Sequence, residues 1–320
     1  MEEHRQPSGE RCDLHVHSLA SGPLRLPVLG GIGPECHSEP LAVFGEARRR
    51  GMSLVTLTDH DSIDGGLAIA HLPGTFLSEE VTCALPGGRE LHLGVFGLDP
   101  AQHLQIQRRR HDAESLLGYL AEQRLPTCVN HLFSALTGRR ELQDLRLPLG
   151  RLDLIEVVNG ALPRTTNDSA EQARQAAGLS PVGGSDGHTL RSVARAYTEV
   201  PGSRNVGEYL EGLRRGLCIP RGRSGTYATL TAEVSSVVSA TFRYLARHAM
   251  DDLPSLGRFA LSLLALPAVG LLPLITLGVH LRERGFARHW SRRYFDSRQA
   301  EPCRAPQVEV GEGWALETHP

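Results

Sequence analysis

The 320-residue chain contains no lysine; all 34 of its basic side chains are arginine. We read this as a coding bias rather than a device for phosphate recognition, although arginine suits that task. Cys-x-x-Cys is also missing. Six cysteines stand apart at 12, 36, 83, 128, 218 and 303. That scatter suggests neither a zinc knuckle nor a disulfide framework, and favours reduced thiols in a cytoplasmic setting. Net charge is only -2 with a pI near 6.7, so a basic surface for bulk nucleic acid is not expected. Met1 to Glu10 is polar and charged with no apolar run, and no secretory signal is expected from it.

What is present begins with Asp13-Leu14-His15-Val16-His17-Ser18, where apolar residues alternate with two histidines. On a strand, His15 and His17 leave from the same face, and two neutral imidazoles converging there make half of a metal site. A Gly/Pro-rich loop is expected from Ser21 to Pro40. A helix follows at Leu41 to Arg50, closed by Gly51, and then a strand at Ser53 to Thr58 runs into Asp59-His60-Asp61. Further strands are read at Thr75–Cys83, Glu90–Phe96, Thr127–His131, Asp153–Val158, Pro181–Asp186 and Ala196–Val200. Helices are read at Pro100–Arg124, with Leu104, Leu116, Leu117 and Leu120 as the buried stripe, at Asn167–Ala177 and at Val206–Arg215. Strands alternating with helices argue for a parallel α/β sheet or barrel, whose chemistry collects at strand ends.

The remaining ligand-type side chains fall there. His60, Glu80, His92, His131, Asp186 and His188 lie in or at the ends of separate predicted strands. One buried histidine is usually a satisfied core residue, but this many ionisable groups at strand termini require compensating charge of opposite sign.

The ordered set Asp13-Leu-His-Val-His17, Thr58-Asp-His-Asp61, Ser78-Glu-Glu-Val-Thr82, Leu91-His-Leu-Gly94, Asn130-His131 and Gly184-Ser-Asp-Gly-His188 resembles the PHP (polymerase and histidinol phosphatase) family, in its metal-dependent phosphoesterase branch. The resemblance runs from about residue 12 to 222. It implies a distorted (β/α)7 barrel over residues 1–225, with two or three divalent ions (Mn, Fe or Zn) at its mouth. His15 and His17 would bind one ion together with Glu80 and Asp186. Glu80, preferred to Glu79 by its match to the family's glutamate, would bridge to a second ion held by His92 and His131. His60 and His188 would hold a third. The family usually carries an aspartate shortly after the His-x-His, where this chain has Ser21-Gly22-Pro23. Glu35 or Glu39 in the long loop are candidate replacements. The implied activity is hydrolysis of a phosphomonoester or phosphodiester of a nucleotide, RNA end or other small phosphate ester by a metal-activated water. Asp59 is assigned a catalytic role beside His60, Arg195 a phosphate clamp and Asn159 a substrate contact. The alternatives are a non-catalytic PHP metal-binding or regulatory module, and an amidohydrolase-like metal-dependent hydrolase. The latter lacks the bridging lysine often seen there.

Residues 226–320 read as a mainly helical, partly apolar appendage with a polar tail from Arg304 to Pro320. Phe259 to Leu281 holds no Asp, Glu, Lys or Arg over 23 residues. As one helix it would extend about 34 Å, enough for a bilayer core of about 30 Å. Pro267, Gly270 and Pro273 interrupt it, and arginines flank both ends. A peripheral or re-entrant position of 259–281 at the cytoplasmic membrane is therefore one expectation. A buried hairpin, or a homodimer contact through 256–281, is the other.

Overall fold

The computed structural model describes residues 9–23, 33–249, 251, 253–264 and 266–300. The tail from Arg304, most of the polar N-terminus and the middle of the Gly/Pro-rich loop lie outside these residues. Helices and strands mix as expected for an α/β protein, but the strands form two sheets rather than one closed barrel. Five strands, β2 (Ser78–Leu85), β3 (Arg89–Phe96), β4 (Thr127–Val129), β5 (Leu154–Asn159) and β6 (Ser180–Gly184), pair in that order. β2, β3 and β4 are antiparallel neighbours, whereas β4, β5 and β6 are parallel. The second sheet pairs β1 (Glu10–Cys12) with β7 (Ala196–Val200) and β7 with β8 (Ile219–Gly222), all antiparallel.

Two segments read as strands are extended without forming continuous ladders. Residues 13–17 run between the ends of β6 and the 55–60 segment. The Asp186 N–H donates to the His15 carbonyl and the His17 N–H to the Gly187 carbonyl on one side; the Thr58 N–H reaches the Val16 carbonyl on the other. Isolated parallel bridges Val16↔Gly187, Val55↔Thr75 and His60↔Glu80 continue this pattern. Buried polar residues interrupt the ladders: Thr58 Oγ1, not a strand carbonyl, accepts the Val16 N–H. No closed sheet forms among the described residues.

Local chemistry sets the helix limits. The helix read over 100–124 is two, α3 (Pro100–Arg109) and α4 (Ala113–Glu122), because Asp112 caps the second through the Ser115 N–H. The break turns Leu104 out to solvent, 57% exposed, while Leu116, Leu117 and Leu120 stay buried. α1 (Pro40–Arg49) starts on proline, and α6 (Arg164–Ala177) ends on Gly178 in the left-handed region, φ 72°. The remaining early helices are α2 (Asp64–Ile69), α5 (Leu142–Leu149) and α7 (Val206–Arg214).

Thr226 and Thr229 form a capping box that opens α8 (Tyr227–His248). The apolar run then divides into α9 (Leu253–Leu264), α10 (Leu266–Val269) and α11 (Leu272–Ala300). Pro267 and Pro273 each take the second position of a new helix, where a missing N–H costs nothing. No helix among the described residues is long and apolar enough to cross a membrane. The far half of α11 joins the main core: Ala287, Trp290 and Tyr294 pack in the same cluster as Leu93, Leu145 and Ala173. Its near half leaves Leu274, Ile275 and Leu281 exposed.

Candidate metal centre

His15 stands where the 13–17 segment passes β6, and this approach needs a residue without a side chain. A Cβ on Gly184 would lie 2.3 Å from that of His15. Asp13 ties the two segments together, accepting from the Ser185 hydroxyl at 2.5 Å, the Ser185 N–H at 2.8 Å and the Ala194 N–H at 2.7 Å. Burial raises its carboxyl to about 6 despite those donors. Among the described residues, four of the five non-glycine residues with left-handed backbone border the same region: Asp61, His131, Asp186 and Ala194. Such strain persists only where the surroundings enforce it, and it concentrates at functional sites.

All eight expected ligands converge. Glu80 lies at the centre, 1% exposed. Its Oε1 is 3.2 Å from His15 Nε2, 3.4 Å from His92 Nδ1 and 3.1 Å from His131 Nε2. Its Oε2 is 3.5 Å from His17 Nε2 and 3.3 Å from His60 Nδ1. Asp186 Oδ1 lies 3.5 Å from His15 Nε2, 3.6 Å from His17 Nε2 and 3.9 Å from His188 Nδ1. Four sets of three donors fall within 4.8 Å of one another: His15/His17/Asp186, His15/Glu80/His131, His60/Glu80/His92 and His17/His60/His188. Glu79 points the other way, accepting from His103 and Gln107.

The residues fit divalent ions. The inward nitrogens His15 Nε2, His17 Nε2, His60 Nδ1, His92 Nδ1 and His188 Nε2 are buried and make no hydrogen bond, an arrangement that costs free energy unless something else binds them. Most of the spacings above exceed a hydrogen bond, yet ligands about 2.0–2.2 Å from one ion stand about 3.0–3.5 Å apart. Mixed imidazole and carboxylate donors suit Mn, Fe or Zn.

The residues behind the ligands fix which nitrogen faces in. A carboxylate only accepts, so the 2.9 Å contact of His15 Nδ1 with Glu156 places the proton on Nδ1 and leaves the Nε2 lone pair inward. The Ser21 hydroxyl donates to Asp59 at 2.8 Å and therefore accepts from His17 Nδ1 at 3.0 Å, with the same result. His188 Nδ1 donates to the Asp186 carbonyl at 3.2 Å.

Electrostatics agree. Burial works against the charge of Glu80, but the nearby His15, His92 and His60 outweigh it and hold the carboxyl well below its usual range. Asp186 is depressed likewise, chiefly through His15 and His17. In return Glu80, Asp186 and Glu156 raise His15 against its burial. His60, where burial dominates, falls to about 3. The surplus negative charge thus draws cations inward, protons or metal ions alike.

Two expected roles change. Asp59 faces away from His60, its carboxylate accepting from the Ser18 N–H at 2.6 Å, the Ser18 hydroxyl at 2.8 Å and Ser21; it is a positioning residue for His17. Asn159, 1% exposed, spends its amide on Glu156 and Asp186 and its oxygen on the Ala161 and Leu162 N–H groups, leaving nothing for substrate. Arg195 reaches the Ser224 carbonyl at 3.5 Å with its Nε unpaired, and makes no contact with the ligands among the described residues. Glu156 escaped the sequence reading altogether, although a carboxylate inside the apolar run Leu154–Val158 was a signal that it needs a buried partner.

The PHP-associated family model matches residues 164–218, which supports a PHP-domain family for this chain. Among solved structures, PsfC from Pseudomonas syringae is similar at 19% identity over 73% of this chain and 98% of its own, with a TM-score of 0.47. A candidate metal-dependent phosphoesterase from Bifidobacterium adolescentis shares 14% identity over 64% and 96% (TM-score 0.42). An amidohydrolase from Chromobacterium violaceum with bound sulfate shares 16% over 63% and 96% (TM-score 0.43). No curated protein matches by sequence.

Proposed function

We propose that this protein is a metal-dependent hydrolase of small phosphate esters. The observation that carries the reading is the ring of buried, unbonded imidazole nitrogens turned toward Glu80 and Asp186. Divalent ions held there would supply Lewis acidity toward a phosphoryl oxygen and the positive charge that both the substrate and the carboxylates require.

The chain's own residues supply order and access. Glu156, Ser21 with Asp59, and the Asp186 carbonyl each hold a proton on the outer nitrogen of a histidine, so the donors stay aimed without rearrangement. His15, His17 and Glu80 form the closed floor, at 1% exposure or less, while the side chains of His92 and His188 are 17% and 21% exposed. A substrate therefore approaches on the His92/His188 side. Arg195, whose guanidinium reaches the Ser224 carbonyl at 3.5 Å, is the cation proposed to meet a phosphate.

The test is hydrolysis of bis(p-nitrophenyl) phosphate and p-nitrophenyl phosphate by protein loaded with Mn²⁺, Zn²⁺ or Fe²⁺, with His15→Ala as control. Turnover that disappears in the variant supports the proposal. Metal binding without ester cleavage by any loaded form would replace it with a non-catalytic module.

A further inference from the structure

We propose that Glu35, carried by the long loop, is a ligand to a separate ion at the outer edge of the centre, together with His60 and His188. This rests on the reading of the centre as metal-binding and adds a residue outside the eight expected ligands.

His17, His60 and His188 already bring ring nitrogens within 4.8 Å of one another. The His17 ring stacks on both others, with centroids 4.8 Å from His60 and 4.4 Å from His188. Imidazoles alone give such a site no negative charge. Glu35 brings it: its Oε1 lies 3.5 Å from His188 Nε2 and its Oε2 3.6 Å from His60 Nε2. Both distances are too long for good hydrogen bonds and suit neighbouring ligands of one ion. Glu35 Oε2 and His188 Nε2 are buried without a hydrogen bond.

The backbone holds Glu35 there. Its N–H donates to the Gly22 carbonyl at 3.0 Å, and Pro23 and Pro34 form an antiparallel bridge, so both stems of the loop are fixed beside it. The next residue, Cys36, turns its thiol to the His17 and His188 carbonyls at 3.4 and 3.1 Å. The loop is thus tied to the segments that carry His17 and His188. Position 22 itself offers only a carbonyl. Glu39 lies exposed at the start of α1 and is no competitor.

The experiment counts ions in metal-stripped, Mn²⁺-reconstituted full-length protein by mass spectrometry, for wild type, Glu35→Gln and Glu39→Gln, with calorimetric titration of the last ion bound. Far-UV dichroism and melting temperature confirm that each variant is folded. The expected result is loss of one equivalent, or a tenfold or greater weakening of the last ion, in Glu35→Gln only. An unchanged count and affinity overturns the assignment and leaves the hydrolase reading standing. Loss of every ion would make Glu35 a structural support and overturn it equally. A wild type that binds no ion removes both readings.

Discussion

The carboxylate of Glu156 accepts the Nδ1–H of His15 at 2.9 Å, and through its other oxygen it also accepts the His131 N–H at 2.9 Å. One buried side chain thereby positions two ligands that lie 116 residues apart in sequence, at 15 and 131. Glu156→Gln should weaken Mn²⁺ binding about 10- to 100-fold, the usual cost of losing a carboxylate behind a histidine ligand. Glu156→Ala should also destabilise the fold by about 1–3 kcal/mol, because the buried His131 N–H loses its acceptor. Calorimetric titration and urea unfolding read the two effects; unchanged affinity in both variants contradicts the positioning role.

Ser21 links Asp59 to the His17 ring. Ser21→Ala should leave the protein folded but release the His17 proton to either nitrogen, lowering Mn²⁺ affinity about tenfold. Nitrogen-15 shifts of the His17 ring check this: a single Nδ1–H tautomer persisting in the variant would refute it.

Gly65, in α2, lies against this pair. A Cβ there would be 2.0 Å from Asp59 Oδ2 and 2.6 Å from Ser18 Oγ. Gly65→Ala should therefore cost about 2–3 kcal/mol through overpacking and displacement of a buried carboxylate. A melting temperature equal to wild type rules this out.

Glu283 on α11 accepts the Ala135 N–H with both oxygens at 3.1 Å. Burial raises its carboxyl above the ordinary value, though Ala135 and Ser134 partly oppose it. Because the folded pKa is raised, its stabilising contribution is complete below about pH 4.3, the unfolded value, and is lost as pH rises through the folded value. Glu283→Gln removes that term. The difference in melting temperature between wild type and variant should shift against wild type from pH 4 upward; a pH-independent difference contradicts the linkage.

Trp290, 8% exposed, belongs to the core cluster that includes Leu145 and Ala173. Trp290→Ala should cost about 3 kcal/mol or more. Urea unfolding should show one cooperative transition at a lower midpoint. An unshifted midpoint would mean that α11 folds apart from the sheets.

The ligands were legible because each is chemically out of place: a histidine or carboxylate at the end of an apolar strand has few reasons to be there. Their partners were not. Asp59 reads as the neighbour of His60, yet it serves His17, because strand alternation turns adjacent side chains to opposite faces. Asn159 ends a strand at the mouth, and only the tertiary structure shows its amide committed to Glu156 and Asp186. Alternation of strands and helices suggested a barrel; the 13–17 and 55–60 segments, held partly by side chains such as Thr58, pair too briefly to close one. In the apolar run, Pro267 and Pro273 marked the breaks correctly, but the far half of α11 reads as a polar arginine-rich helix. Its sparse core residues, Ala287, Trp290 and Tyr294, carry too weak a period to announce burial.

His15 and His17, Glu35, His60, Glu80, His92, His131, and Asp186 with His188 come from seven separate segments. No fragment ending before residue 186 holds the complete set, so the centre can assemble only late in folding, after the distant parts of the chain have met. Ion occupancy and global unfolding are therefore linked: free metal at a hundred times its dissociation constant should add about 2.7 kcal/mol to the stability of the whole molecule. A chelator should then loosen helices far from any histidine as much as the loops beside them.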